Sequence, residues 1–487
     1  MALLIKNGKI VTADSIYVAD IYCEDETITR IGKNLEVPPG AEVVDAEGKY
    51  VFPGFIDPHT HIHLPFMGTH AKDTYETGTI AALCGGTTTL FDFVIPEQDE
   101  EPLKALETWR SKSEGLACSD YAFHMAVTHF DSKVESQLRE IVADGITSFK
   151  VFLAYKGALG IEDGELFKTL QFAAKQGVIT AAHCENACIV HEMQQQLIGC
   201  GKTGPEHHHD SRPPIVEADG TRHLCNMAKM LDAHVYIVHL SNELALKEAV
   251  EAKLNGTNVW VETLIQYLLL DKTHAELPDF EGAKYVMSPP LRDKKEQPIL
   301  WDALKSGVIS TLATDHAPFD LKQKAMGKDN FCKIPNGIPS LEDRVRLMFT
   351  HGVCTGRMSL NRFVEVGSTE AAKIFGLFPR KGTIQIGCDA DLLVYDPNVE
   401  ETLSVKSQHI NIDYNAFEGY KVRGRCAVVT VRGKVQVRDG QFVGEKGRGK
   451  LLKREPTHHS SMLDIENFDK KTAQGRAEKE HDLLFRS

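Results

Sequence analysis

Hydrophobic and polar positions alternate along the middle of the chain in two rhythms. Short apolar runs rich in Val, Ile, Phe and Ala occur at 51–56, 86–93, 121–128, 148–155, 178–183, 234–240, 259–263 and 308–314, which is eight in all. Runs of this length and content predict strands buried on both faces. Segments with helical spacing lie between them, at 77–84, 102–113, 134–143, 165–175, 222–231, 243–254 and 299–305. In the sixth of these, Glu243-Leu244-Ala245-Leu246-Lys247-Glu248-Ala249-Val250 shows apolar residues at a spacing of three to four with charges opposite. Strands alternating with helices predict βαβ units and a parallel sheet. Eight such units predict an α/β fold, a (β/α)8 TIM-like barrel, whose chemistry gathers at the C-terminal ends of the strands. The structural rival is a doubly wound open sheet. No G-x-G-x-x-G opens a helix here, which disfavours a dinucleotide-binding version of that rival.

The two ends carry a different pattern. Residues 1–50 alternate as short strands, with a hairpin turn expected at Asn7-Gly8 and strands at 16–23 and 27–31 joined across 24–26. The other end repeats the theme at 390–395, 427–432, 434–438 and 441–443, with turns at Gly433 and Asp439-Gly440. Neither end has enough strands to bury a core alone. They are therefore expected to pack into one small β-sandwich domain, residues 1–53 plus 386–444, interrupted by a barrel over 54–385. From 445 to 487 the chain is polar and charge-rich, which predicts a flexible tail or an oligomerisation arm.

Composition narrows the partners. The 487 residues are 42% hydrophobic and 25% charged, a globular balance. A net charge of −13 repels phosphate backbones and anionic lipid, so nucleic acid and membrane surfaces are poor partners. The 11 Cys are an odd number with no C-x-x-C pair, which fits reduced, buried thiols. The apolar start at Met1–Ile5 is too short for a secretory h-region, and no run approaches a membrane span. A soluble, cytoplasmic protein is expected. Histidine, at 21 residues, is in surplus.

Several histidines fall where chemistry would need them. Gly54-Phe55-Ile56-Asp57-Pro58-His59-Thr60-His61 ends the first apolar run, and alternation along a strand aims His59 and His61 at one point. Paired imidazoles suit zinc and its neighbours, although His-x-His also arises as a hydrogen-bonded surface pair. His183 and His239 close the fifth and sixth runs, and Asp315 follows the eighth. One buried polar residue at a strand end is ordinarily a satisfied core group. Four strand ends doing this together point to a metal site. Lys150 lies inside the apolar Ser148-Phe149-Lys150-Val151-Phe152. Burial there depresses an ammonium pKa. The alternatives for it are a snorkelled or ion-paired lysine, a Schiff base, or a carbamate that would supply an anionic bridging ligand. His207-His208-His209 sits in a polar loop and is expected to be solvated, with a metal role as the alternative.

In order and context, His59-Thr60-His61, Lys150, His183, His239 and Asp315 resemble the binuclear metal site of the amidohydrolase superfamily. Within it, the chain is similar to dihydropyrimidinases and D-hydantoinases. The motifs Lys150-Val151-Phe152-Leu153-Ala154-Tyr155-Lys156, Met287-Ser288-Pro289-Pro290-Leu291-Arg292, Ala313-Thr314-Asp315-His316-Ala317-Pro318 and Ile334-Pro335-Asn336-Gly337-Ile338-Pro339 carry that likeness. The resemblance implies two Zn²⁺ per subunit, bridged by carbamylated Lys150 and a hydroxide. His59, His61 and Asp315 would hold one ion, and His183 and His239 the other. It further implies that Asp315 moves the proton, that Tyr155 donates to the oxyanion, and that Ser288 and Asn336 hold the amide edge of a cyclic ureide ring, chiefly through backbone groups. Homotetrameric assembly follows from the same likeness. Allantoinases share the ligands, and metal-free scaffold relatives lack them. Thr263-Leu264-Ile265-Gln266-Tyr267 departs from the family's usual Thr-Cys-Pro-Gln-Tyr without removing a ligand.

Overall fold

The computed structural model describes residues 2–458. Its centre is a nearly closed barrel of eight parallel strands in sequence order: Phe55–Thr60, Thr87–Val94, Asp120–Ala126, Ser148–Phe152, Ile179–His183, Val235–Ile237, Val259–Leu264 and Thr311–Ala313. The seam between the last and first strands is bridged at Thr60 and His316, where the His61 N–H donates to the His316 carbonyl at 2.8 Å. Arg344, fully buried, reinforces the seam by donating to the carbonyls of Ile56 (2.9 Å) and Leu312 (2.7 Å). Nearly every barrel-strand residue is buried, because helices cover the outside and side chains fill the inside.

The helices follow the expected segments, two with the expected start and the others starting earlier. The expected 243–254 is Glu243–Leu254, capped by the Asn242 side chain on the Ala245 N–H. The expected 222–231 begins earlier, as Pro214–Leu231, because a proline at the first helical position is preorganised for a helix start. One helix, Ala187–Gly199, is not among the expected segments, although Val190, Met193 and Leu197 recur at helical spacing; Val190 is buried, and Leu197 packs partly buried against a small cluster around Phe331. Its start is set by Asn186, whose side chain accepts from the N–H groups of Cys188 and Ile189.

Two strand expectations are corrected. The run 51–56 is not one strand. It divides at Gly54 into Tyr50–Pro53, which belongs to the terminal sheet, and Phe55–Thr60, which opens the barrel. A Cβ at Gly54 would overlap Thr88, so the crossing between sheets needs glycine. Asn7-Gly8 is not a hairpin turn. Ala2–Val11 runs through it as one strand, and the register with Ile16–Glu24 shifts between Ile5 and Gly8. Asn7 adopts φ 61° with its N–H on the Asp20 carboxylate, and a side chain at Gly8 would run into Val51.

Both chain ends join in one nine-stranded mixed sheet. Tyr50–Pro53 from the first end pairs antiparallel with Leu392–Thr402 from the second, and Lys421–Val431 and Lys434–Arg438 continue outward. Leu3, Ile5, Ile21, Val51, Leu392 and Val394 form its own apolar cluster. The charged segment expected from 445 is ordered as far as the structure follows it. Residues 450–458 run beneath the barrel, where Leu452, Arg454 and His458 donate backbone N–H groups to the carbonyls of Tyr121, Gly145 and Gly177. The rest of the expected tail or arm, 459–487, lies outside the described residues.

Candidate metal centre

The C-terminal ends of the barrel strands converge on one cavity. His59, His61, Lys150, Tyr155, His183, His239, Ser288, Asp315 and Asn336 all line it. Every site residue expected from the sequence is thus at one place. Leu64, Phe66, Ile95 and Phe152 supply an apolar wall.

Each polar side chain is delivered by a local feature of the fold. His59 lies in the first strand with its alternate neighbour Thr60 turned outward, so His61 returns to the same side, and the two rings sit 5.2 Å apart. Asp315 follows the eighth strand at φ 48°, a left-handed residue that breaks the strand and turns the carboxylate inward. Its Oδ1 lies 3.1 Å from His59 Nε2 and 3.0 Å from His61 Nε2. The ligand atoms of these three residues lie within 4.8 Å of one another, which suits one cation. His183 ends the fifth strand, and His239 follows the sixth at φ 42° with its ring 4.6 Å from that of His183. Lys150 reaches in from the fourth strand, fully buried, with Phe93 and Phe152 rings about its Nζ.

The electrostatics favour added positive charge. Burial works against the Asp315 carboxylate, but His59 and His61 hold it well below the ordinary range, so it is anionic. Burial also opposes charge on His59, and the carboxylates of Glu262 and Asp315 outweigh it, lifting the imidazole to about 9. A divalent cation here would replace that proton. Burial holds His239 well below the usual range and draws Lys150 down to about 8 against the pull of Asp315 and Glu262. Among the described residues, His61 Nδ1, His239 Nδ1 and Lys150 Nζ are buried without a hydrogen-bond partner. Orphaned nitrogens around an anionic carboxylate are costly unless something occupies the space between them. The donor set of imidazoles, carboxylate and a low-pKa amine therefore fits a metal centre.

Two orienting carboxylates were missed in the sequence. Glu262, on the seventh strand, accepts from His59 Nδ1 at 2.7 Å, from the His239 N–H at 2.9 Å and from the Tyr236 hydroxyl at 2.8 Å. It fixes the His59 tautomer so that Nε2 faces the cavity. Glu185 does the same for His183, accepting at 2.7 Å from Nε2 while ion-paired with Arg212. The signal for Glu262 was present, since a carboxylate inside Val259-Trp260-Val261-Glu262-Thr263 is as out of place as Lys150 is in its own strand.

The substrate-facing side differs from expectation at one point. His208 is not solvated: it is buried on the short helix His207–Asp210, with Nε2 2.8 Å from the Met287 carbonyl and 3.2 Å from Ser288 Oγ. Burial pushes it down to about 3, so it is neutral, and among the described residues it belongs to no candidate metal cluster. Ser288 Oγ also accepts from Asn336 Nδ2 at 3.1 Å. Tyr155 sits at φ 59°, and burial lifts its hydroxyl to about 12 against the pull of Arg212, so it remains a protonated donor. His63 stacks on His70 and does not line the cavity. Cys184 is buried, and burial raises its thiol well above the usual range, which makes it inert.

Known proteins match this geometry and its sequence. Residues 50–436 match the model of the amidohydrolase family. A D-hydantoinase of Geobacillus stearothermophilus is 48% identical over 456 residues, covering 93% of this chain and 97% of that protein. A dihydropyrimidinase of Rattus norvegicus is 39% identical over 462 residues, covering 93% and 89%. The solved structure of a D-hydantoinase (dihydropyrimidinase) from Thermus sp. superposes with a TM-score of 0.93 at 60% identity, over 94% of this chain and 100% of that one. With the family model matched over most of its length and relatives of this identity covered almost end to end, this chain belongs to the amidohydrolase family.

Proposed function

We propose that this protein is a cyclic amidohydrolase of the dihydropyrimidinase and hydantoinase kind. It opens 5,6-dihydrouracil, dihydrothymine and 5-substituted hydantoins to N-carbamoyl amino acids, a step of pyrimidine degradation. The observation that carries this reading is the convergence of His59, His61, Lys150, His183, His239 and Asp315 on a cavity whose other walls hold Tyr155, Ser288 and Asn336. Relatives named D-hydantoinase and dihydropyrimidinase support it.

The residues suit two Zn²⁺, with His59, His61 and Asp315 for one, His183 and His239 for the other, and Lys150 shared as its carbamate. When bound, such ions supply a water activated near neutral pH and a Lewis acid for the substrate carbonyl. The chain's own groups do the rest. Asp315, anionic and at the cavity floor, accepts the proton of the attacking water and passes it to the ring nitrogen as the C–N bond breaks. The water oxygen ends on the carbonyl carbon and both hydrogens are accounted for in the carboxylic acid and the released N–H. The Tyr155 hydroxyl donates to the carbonyl oxygen as charge develops there. Ser288 and Asn336 hold the amide edge of the ring, and Leu64, Phe66 and Phe152 pack against its C5 substituent. The same reading takes the enzyme to be homotetrameric and cytoplasmic. No helix among the described residues is long and apolar enough to cross a membrane.

A substrate panel tests this. Zinc-loaded protein is expected to hydrolyse dihydrouracil and hydantoin with kcat/KM at least about 10-fold above that for allantoin, the discrimination that a few well-placed contacts deliver. Preference for allantoin would overturn the substrate assignment, and turnover of none would overturn the enzymatic one.

A further inference from the structure

The loops that follow the seventh and eighth barrel strands meet over the cavity, and a lysine ammonium is buried where they meet. Lys324 ends the short helix Leu321–Lys324 and is 1% exposed. Its Nζ donates to three main-chain carbonyls: Val286 at 2.9 Å, Pro335 at 2.7 Å and Gly337 at 2.8 Å. Burial draws its pKa well below the ordinary lysine range, and the three carbonyl acceptors work against that, since only the ammonium has a donor for each of them. Val286 lies two residues before Ser288, while Pro335 and Gly337 flank Asn336. The ammonium thus ties together the two loops that carry these side chains.

Other contacts act on the same joint. The Gly337 N–H donates to the Val286 carbonyl at 2.9 Å, and Asn336 Nδ2 reaches Ser288 Oγ. Gly337 sits at φ 154°, and a Cβ there would run into the Ala317 carbonyl, so the second loop has no slack against the eighth-strand segment. Lysine is among the residues least often fully buried, and an apolar side chain would fill this space at lower cost. What an apolar side chain lacks is the power to gather three carbonyl oxygens around one point. Without that cation the carbonyls would repel one another and turn toward water, and the loops would part.

We propose that Lys324 is a positioning residue for substrate recognition, which sets the distance between Ser288 and Asn336 by clamping the carbonyls of Val286, Pro335 and Gly337. It touches no reacting atom and acts through the two loops. The inference rests on the reading above, in which Ser288 and Asn336 hold the amide edge of the ring.

Lys324→Met keeps the length of the side chain and removes its donors. In the zinc-loaded enzyme it is expected to raise KM for both hydantoin and dihydrouracil by about 10-fold or more, with kcat within about 3-fold, because the lost interaction concerns binding and not the reacting centre. Bound zinc per subunit stays at the wild-type level. A merely structural lysine would lower thermal stability and leave the folded fraction with wild-type KM. That result, or a loss of zinc, would overturn the proposal. Should the methionine variant fail to fold, Lys324→Arg keeps the charge but presents a planar fork in place of three tetrahedral N–H donors. A raised KM is expected there too, and a wild-type KM would contradict the clamp. Wild-type protein in the same assay separates the two levels: no turnover overturns the functional reading and this inference with it, whereas wild-type turnover with unchanged variant KM overturns this inference alone.

Discussion

Lys150→Ala is expected to lower kcat by more than about 10³-fold, and short carboxylic acids such as propionate are expected to restore part of the loss. The side chain is fully buried, its Nζ has no hydrogen-bond partner among the described residues, and burial draws its pKa down to about 8. An amine in that state is open to CO₂, which would turn an unfavourable buried cation into an anion facing the imidazoles of His59, His183 and His239. Alanine leaves a space the size of that anion. A free carboxylate of similar shape can enter it and bridge, which a Schiff-base lysine could not imitate. Activity measured against propionate concentration checks this. An alanine variant that keeps wild-type kcat would show that Lys150 is a packing residue, and a complete absence of rescue would favour a covalent role over a bridging one.

Asp315→Asn is the second change with a large expected effect, a fall in kcat of about 10²–10⁴-fold. Asparagine preserves the shape at φ 48° but removes the charge that His59 and His61 hold in place. It therefore removes the group proposed to accept the proton of the attacking water. Bound zinc is expected to fall as well, because one of three ligand positions around the His59–His61 pair loses its anion. Zinc content and kcat measured together separate the two consequences. Restoring zinc by excess metal should leave kcat low, whereas recovery of kcat on full loading would reduce Asp315 to a ligand alone.

The strands of the barrel and the residues at their ends were legible because parallel strands buried on both faces leave long apolar runs, against which His59, His183, His239, Asp315 and Lys150 stand out. Where the runs stop was less legible. The strand over 51–56 divides at Gly54 because the chain changes sheets there, a tertiary event with no local periodicity. His208 looked solvated because its neighbours are polar, and its burial is created by Met287 and Ser288, about eighty residues away. Lys324 and Arg344 were invisible for a related reason. Each sits in a short polar or mixed segment, and what makes it special is a set of carbonyls contributed by distant loops or strands. Glu262 differs from these, since the rule that singled out Lys150 in its strand applies to it equally.

The central claim is that this cavity works as a metal-dependent hydrolytic centre, and metal titration of the chelated protein tests it most directly. Protein stripped of metal and then supplied with bicarbonate and increasing Zn²⁺ is expected to be inactive toward hydantoin at the start. Activity should rise with bound zinc and reach its plateau near two ions per subunit, the number the His59–His61–Asp315 and His183–His239 ligand sets provide for. Full hydantoin turnover by the stripped protein, or zinc binding at that stoichiometry with no turnover, would contradict the account.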